Sequence, residues 1–246
     1  MNRRVVDRMR FRFVWAIFSV ALRYLSFARR RFVLPPAGPQ AATYLTLIAR
    51  LPRHITAAIA PVIASLGKSA IDHYFYPTDT IHLTIENLDW IVRDPENLER
   101  AREKLQAVVG SSVPIKMVAA GLGVSANTVF VQIFPADETL ANLRREIVRL
   151  SEDPALSRAV ALKGISTSRP SHWLFGNMVF ANVVRFAGTV APTLIREIAG
   201  YRRLYFGEFV LDKLELVVTD RLLSAQGTQV RDRFLLQGKP TDTRLH

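Results

Sequence analysis

The 246-residue chain is 49% hydrophobic and 22% charged, which excludes a disordered or low-complexity polymer and suits one globular domain or two small lobes sharing a core. Cysteine is absent, so disulfide frameworks, thiolate metal sites and cysteine nucleophiles are excluded, and five scattered histidines leave little for a metal cage. The formal charge of +12 is uneven: residues 1–33 hold nine arginines against the single acid Asp7 and carry +8, which leaves +4 for the remaining 213 residues. The basic balance therefore belongs largely to a leader, and a nucleic-acid groove spread over the body is not implied.

Within that leader the apolar run Phe13 to Leu22 is ten residues long, against the roughly 20 that a spanning helix needs. At about 100° per residue, Arg8, Arg12, Ser19, Arg23, Ser26 and Arg30 share one narrow stripe, and aromatic and aliphatic residues cover the rest. Such a helix suits an anionic membrane surface, with arginines on headgroups and the apolar face inserted. An Arg-rich targeting peptide, or a helix packed on a partner or on the body, fits the same pattern. The stretch Pro35-Pro-Ala-Gly-Pro39 cannot continue a helix and marks the boundary, so residues 1–38 read as leader and linker and 39–246 as the folded domain.

In chain order, the body reads as a strand over 44–49, a helix over 52–66 and a strand over 80–86. In that strand His82, Thr84 and Glu86 alternate with Ile81, Leu83 and Ile85, which predicts all three polar side chains on one face. A helix at 96–109, strands at 114–120 and 127–134, and a helix at 137–150 with Asp137 and Glu138 at its positive end follow. Strands near 159–165, 177–185 and 206–219 and a helix near 189–200 complete the pattern. The irregular alternation and the direct turn between two strands predict an α+β fold with antiparallel pairing.

Gly121-Leu-Gly123-Val-Ser-Ala126 spells a dinucleotide fingerprint, but the next residues, Thr128 to Phe134, read as a strand. Without a following helix N-terminus the phosphate has no receptor, and the glycines read as a hairpin turn. Two H-x-T pairs occur. His54 and Thr56 fall on a helix, where side chains two apart diverge by about 200°; His82 and Thr84 fall on a strand, where they project together. An imidazole that transfers a proton near neutral pH, beside a hydroxyl that donates to a phosphoryl oxygen, suits a phosphate ester. A strand with one hydrogen-bonded histidine is the alternative.

The order of Tyr44-Leu-Thr-Leu-Ile-Ala49, Tyr76-Pro-Thr-Asp-Thr-Ile-His-Leu-Thr-Ile85, the Gly121-Leu-Gly turn, Val129-Phe-Val-Gln-Ile133, Leu140-Ala-Asn-Leu143 and the closing Phe206 to Val218 and Arg221-Leu-Leu-Ser224 resembles the 2H phosphoesterase superfamily. That group includes RNA 2′,3′-cyclic phosphodiesterases, also called 2′-5′ RNA ligases, and the resemblance spans about residues 42 to 237. It implies a bilobal α+β fold, two antiparallel sheets flanked by helices around a central cleft, with two H-x-T/S motifs facing each other. One histidine is then general base and the other general acid, the hydroxyls hold the phosphate, and no metal or other cofactor is needed. His82 and Thr84 match the first motif as catalytic residues. At the second, Phe180 stands where histidine is expected and Asn182 where threonine is; Asn182 can still bind a phosphate oxygen, but Phe180 moves no proton.

Arg185 matches the superfamily's arginine position as a second substrate-binding residue, although strict alternation turns it away from Asn182 unless the strand bulges. His172, in Ser171-His-Trp173, is the one nearby histidine that could compensate. The expected partner is a nucleotide or RNA phosphate ester, with an anionic membrane surface met through residues 1–33. The expected state is a cytoplasmic monomer, peripherally attached where the leader binds lipid. An enzyme of this class and a binding protein that has lost turnover both remain open at this point.

Overall fold

A computed structural model describes residues 9, 12, 13, 16, 34, 35, 38, 43–69, 72–91, 93–125, 127–156 and 177–239. The expected strand at 159–165 and His172 lie outside the described residues. So does most of the leader, of which Met9, Arg12, Phe13 and Ala16 are helical and exposed. Among the described residues no helix is long and apolar enough to cross a membrane.

The strands are β1 (Tyr44–Arg50), β2 (Tyr74–Phe75), β3 (His82–Asn87), β4 (Ile115–Val124), β5 (Thr128–Pro135), β6 (Val179–Arg185), β7 (Tyr205–Leu211), β8 (Lys213–Thr219) and β9 (Gln229–Leu235). The helices are α1 (Arg53–Ser69), α2 (Pro95–Ser111), α3 (Thr139–Arg149) and α4 (Pro192–Gly200). The expected α+β class with antiparallel pairing holds. The two expected sheets are joined, however, into one of nine strands in the order β7-β4-β5-β6-β3-β1-β8-β9, with β2 paired to β6. The junction is the β3–β6 pair, where Leu83 faces Ala181. Four strands of the order stand on each side of it, and β2 adds a fifth to the β6 side.

One strand face carries Leu45, Leu47, Ala49, Leu83, Val131 and Ala181, which form a single buried cluster with Ile55 and Ile59 of α1, Leu105 of α2, Leu143 and Ile147 of α3 and Ile195 of α4. The apolar stripes of all four helices therefore cover the same face, each burying aliphatic surface worth about 25 cal/mol per Å². Helix ends follow their sequences: Asp94 caps α2, accepting from Asn97 N at 2.9 Å ahead of Pro95, and Asp137 accepts from Thr139 N at 2.8 Å at the start of α3. Side chains of alternating parity project from the opposite face, and the candidate site lies there.

The glycine motif is placed differently from the hairpin turn expected of it. The β4–β5 connection is closed by Ser125 N donating to Thr128 O at 2.9 Å, whereas Gly121 and Gly123 lie inside β4 beside an irregularity in its register. Gly121 has φ +81°, and a Cβ there would overlap the Arg202 carbonyl; one on Gly123 would overlap the Phe130 ring. These residues are glycine because a backbone and an aromatic ring approach them.

Candidate functional site

His82 lies opposite Arg50, and Thr84 opposite Ile48, across the β1–β3 pair. Residues directly opposed in antiparallel strands share a face, so His82, Thr84, Arg50 and Ile48 all project away from the helices. Ile48 packs there with Val217 and Leu223 in a small cluster separate from the main core. Continuing the Leu83–Ala181 pairing by one residue either way sets His82 beside Asn182 and Thr84 beside Phe180. The pairs His82/Thr84 and Phe180/Asn182 thus sit on neighbouring central strands.

Glu86 departs from the expected face. Between Leu47 and Ile48 the register slips: Ile48 faces Thr84 but Leu47 faces Glu86, and Ile85 is the extra residue. This bulge turns Glu86 to the helix side with Leu47. Burial there raises its carboxyl pKa, opposed by the nearby Arg144 charge. A second bulge acts in the other direction. On β6, Phe130 faces Asn182 and Val129 faces Val184, so Val183 is extra, and its carbonyl accepts from Tyr76 N at 3.1 Å. Arg185 is thereby returned to the face that bears Asn182.

The His82 ring is 3% exposed, and its Nδ1 lies 2.8 Å from the Thr80 carbonyl. A carbonyl only accepts, so Nδ1 carries the proton and Nε2 the lone pair. Burial lowers the imidazole pKa to about 4, against the Thr80 hydrogen bond, with the Arg50 and Arg185 charges adding to the lowering. At neutral pH the side chain is an uncharged base. Thr84 is half-buried, and its hydroxyl makes no hydrogen bond among the described residues.

Two further groups, Tyr76 and Arg50, were not legible as site residues. Tyr76 stacks edge-on against His82 with ring centroids 6.3 Å apart and accepts from Arg185 Nη2 at 3.4 Å. Burial raises its phenol pKa, while the Arg185 charge and hydrogen bond oppose the rise. Arg185 Nη1 donates to Asn127 Oδ1 at 3.2 Å, and its buried Nε has no hydrogen-bond partner. Arg50 is held by Glu215, 3.2 Å from its Nε, and by the Asp79 carbonyl at 3.3 Å. The Asn182 amide lies 3.0 Å from the Thr128 hydroxyl, whose single proton also has the Val184 carbonyl as an acceptor at 2.6 Å.

Phe180 is exposed and meets Phe130 at a centroid separation of 4.7 Å and a tilt of 42°. Phe130 belongs to an apolar cluster with Val118 and Phe134 on this face. The second half of the site is therefore aromatic where the first is polar. His54 is exposed on α1 with Nε2 on the Glu208 carbonyl at 3.0 Å, while the Thr56 hydroxyl donates to Arg53 O at 3.1 Å within the helix, so this pair does not converge. Among the described residues no group of three or more His, Asp or Glu is arranged to hold a metal ion.

The depressed histidine pKa has a consequence for stability. Between pH 6.5 and about 4 the unfolded chain binds a proton at His82 that the folded chain refuses. The stabilisation is whole above pH 6.5 and is lost as the pH falls through about 4, a loss of about 3 kcal/mol. Urea unfolding at pH 7 and pH 4, compared with His82→Gln, measures it. Identical pH dependence in the two proteins would contradict the buried neutral imidazole.

This antiparallel α+β sheet is similar in fold to the solved structures of LigT and of a protein solved as a phosphoesterase. A Thermus thermophilus protein, TT0787, matches 80% of the chain over 99% of its own length with a TM-score of 0.60 and 17% identity. Escherichia coli LigT, solved with phosphate, matches 81% of the chain over 99% of its own length at a TM-score of 0.53 and 14% identity. A protein solved as a phosphoesterase matches 79% over 98% of its own length at 0.53 and 13%. LigT has also been solved with 3′-AMP and with NADP+. No protein-family model and no curated protein matches the sequence, so the likeness is one of fold.

Proposed function

We propose that the protein is a 2H-type phosphoesterase of nucleotide or RNA ends, binding a 2′,3′-cyclic phosphate or related ester against His82, Thr84, Asn182 and Arg185, with His82 as its single proton-transfer group. The observation that carries this reading is the Nδ1 to Thr80 hydrogen bond, which commits Nε2 to accepting a proton on the face that Thr84 shares. The LigT complexes with phosphate and 3′-AMP support a phosphate ester as ligand. The unpartnered Arg185 Nε suits its oxygens.

In this reading Nε2 takes the proton of an attacking water, its oxygen bonds to phosphorus, and the bond from phosphorus to one ribose oxygen breaks. The departing oxygen takes its proton from solvent, because Phe180 occupies the place of the second histidine. Losing one positioned donor slows such a reaction by about 10²–10⁴-fold. The Phe180–Phe130 pair also favours a second reading, in which the site binds the ester without turning it over and the rings hold a nucleobase.

Turnover of a nucleoside 2′,3′-cyclic phosphate by the wild type and by His82→Ala separates the readings. The phosphoesterase reading expects slow turnover that the variant loses. Equal rates in both would remove His82 from the mechanism. Absent turnover with His82-dependent nucleotide binding would select the binding reading.

A further inference from the structure

We propose that Tyr76 is a ligand of the phosphoryl group, its phenol O–H donating to one oxygen while Arg185 Nε donates to another, so that the two side chains form an oxyanion clamp beside His82. This clamp deepens the phosphoesterase reading, on which the identity of its ester rests. Two donors there lack acceptors. The phenol oxygen accepts from Arg185 Nη2 at 3.4 Å, but among the described residues nothing accepts the phenol's own proton, although Tyr76 is only 2% exposed. The buried Arg185 Nε is likewise without a partner. A buried donor left unpaired costs free energy, and one ligand bearing several acceptor oxygens satisfies both.

The charge of Arg185 makes that ligand an anion. Its hydrogen-bond partners among the described residues, Asn127 and Tyr76, are both uncharged. The Asp220 carboxylate, whose charge acts on Tyr76, is committed to its own loop: it accepts from Gly38 N, Leu222 N, Ser224 N and the Ser224 hydroxyl. A guanidinium with no carboxylate partner suits phosphate oxygens. The phenol is also aimed in advance. Its ring stands edge-on to Tyr74 and to His82, with centroids 5.1 Å and 6.3 Å away, and Tyr76 N donates at 3.1 Å to the carbonyl of Val183, the bulge residue that returns Arg185 to the site face. Burial holds the phenol above its ordinary pKa, so at neutral pH it is a donor and not a phenolate that repels the ester. The clamp therefore only donates, whereas His82 Nε2 only accepts. Donors fixed before the ligand arrives stabilise charge on the phosphoryl oxygens without reorganising, and the one acceptor is left for the attacking water.

Calorimetric titration of the full chain with inorganic phosphate tests the clamp without requiring turnover. Tyr76→Phe keeps the ring and removes only the hydroxyl. It should weaken binding by about tenfold or more, as expected for one hydrogen bond to a charged group, with urea unfolding showing that the variant is folded. Loss of support for Arg185 would by itself weaken binding, so the substitution is repeated in Arg185→Lys, which keeps the charge without the fork. A direct ligand weakens binding there again; a silent second substitution would reduce Tyr76 to a prop for Arg185 and overturn the proposal. Equal binding by wild type and Tyr76→Phe, or no phosphate binding by the wild type, would overturn it too. The phosphoesterase reading fails separately. Turnover of a nucleoside 2′,3′-cyclic phosphate that His82→Ala abolishes, with phosphate binding indifferent to Tyr76, keeps that reading and removes the clamp. Tyr76-dependent phosphate binding without turnover keeps the clamp and removes the hydrolysis.

Discussion

Replacing Phe180 by histidine is expected to raise turnover of a nucleoside 2′,3′-cyclic phosphate by about 10²-fold or more, the usual contribution of a positioned proton donor. The position suits one. It neighbours Thr84 across the β3–β6 pair as Asn182 neighbours His82, so two imidazoles there would flank the same phosphoryl group. Their environments would also differ usefully. Phe180 is 38% exposed where His82 is 3% exposed, so an imidazole at 180 keeps a pKa near the ordinary value of about 6.5, while that of His82 stays at about 4. Between those values one ring is protonated and donates and the other is neutral and accepts, which is how two like groups divide acid from base. The rate should follow a bell with limbs near those two values. The substitution forfeits the contact with Phe130, about 0.5–1.5 kcal/mol, a loss the fold can bear. The double variant with His82→Ala should return to the background rate. A folded Phe180→His protein no faster than wild type would show that this strand position does not face the scissile bond.

What the sequence revealed and what it hid divide at the bulges. Alternation is a parity rule, and it placed His82 with Thr84 because no irregularity separates them. It holds only as far as the next extra residue, and both central strands contain one. The bulge at Ile85 takes Glu86 off the shared face, and the bulge at Val183 brings Arg185 onto it. Neither is written in its own strand, since a bulge is a mismatch with a partner that lies far away in sequence. The same limit hid Arg50 and Tyr76, which reach His82 only through pairing with β3 and β6. At the margins, the expected strand over 206–219 is broken at Asp212 into β7 and β8. The edge strand β9 escaped notice because its residues alternate between exposed and half-buried up to Phe234 and so lack an apolar face. Polar edge strands of this kind resist pairing with other chains.

The bulge that removes Glu86 also creates a need, which Arg144 of α3 fills. An extra residue interrupts the β1–β3 ladder, so carbonyls near it lose strand partners. Arg144 is buried and donates from Nε to Ile85 O at 2.8 Å, from Nη2 to Thr84 O at 3.0 Å and from Nη1 to Met178 O at 2.8 Å. One guanidinium therefore ties the motif strand β3 to the residue before β6, behind the two positions where a phosphate ester would bind. Burial lowers its pKa and Glu86 opposes the change. Methionine at 144 fills much of the same volume but leaves three carbonyls, that of Ile85 buried, and the Glu86 carboxylate without their donor or counter-charge. The expected loss is about 3–5 kcal/mol, a large part of the roughly 5–15 kcal/mol that holds such a domain together. Urea unfolding of Arg144→Met measures it, with Arg144→Lys as the control that keeps the charge but cannot reach three carbonyls in a plane. A loss below about 1 kcal/mol, the worth of one ordinary hydrogen bond, would mean that the bulge is supported by the sheet alone. A loss of the expected size would make α3 the element that fixes the spacing between Thr84 and Phe180.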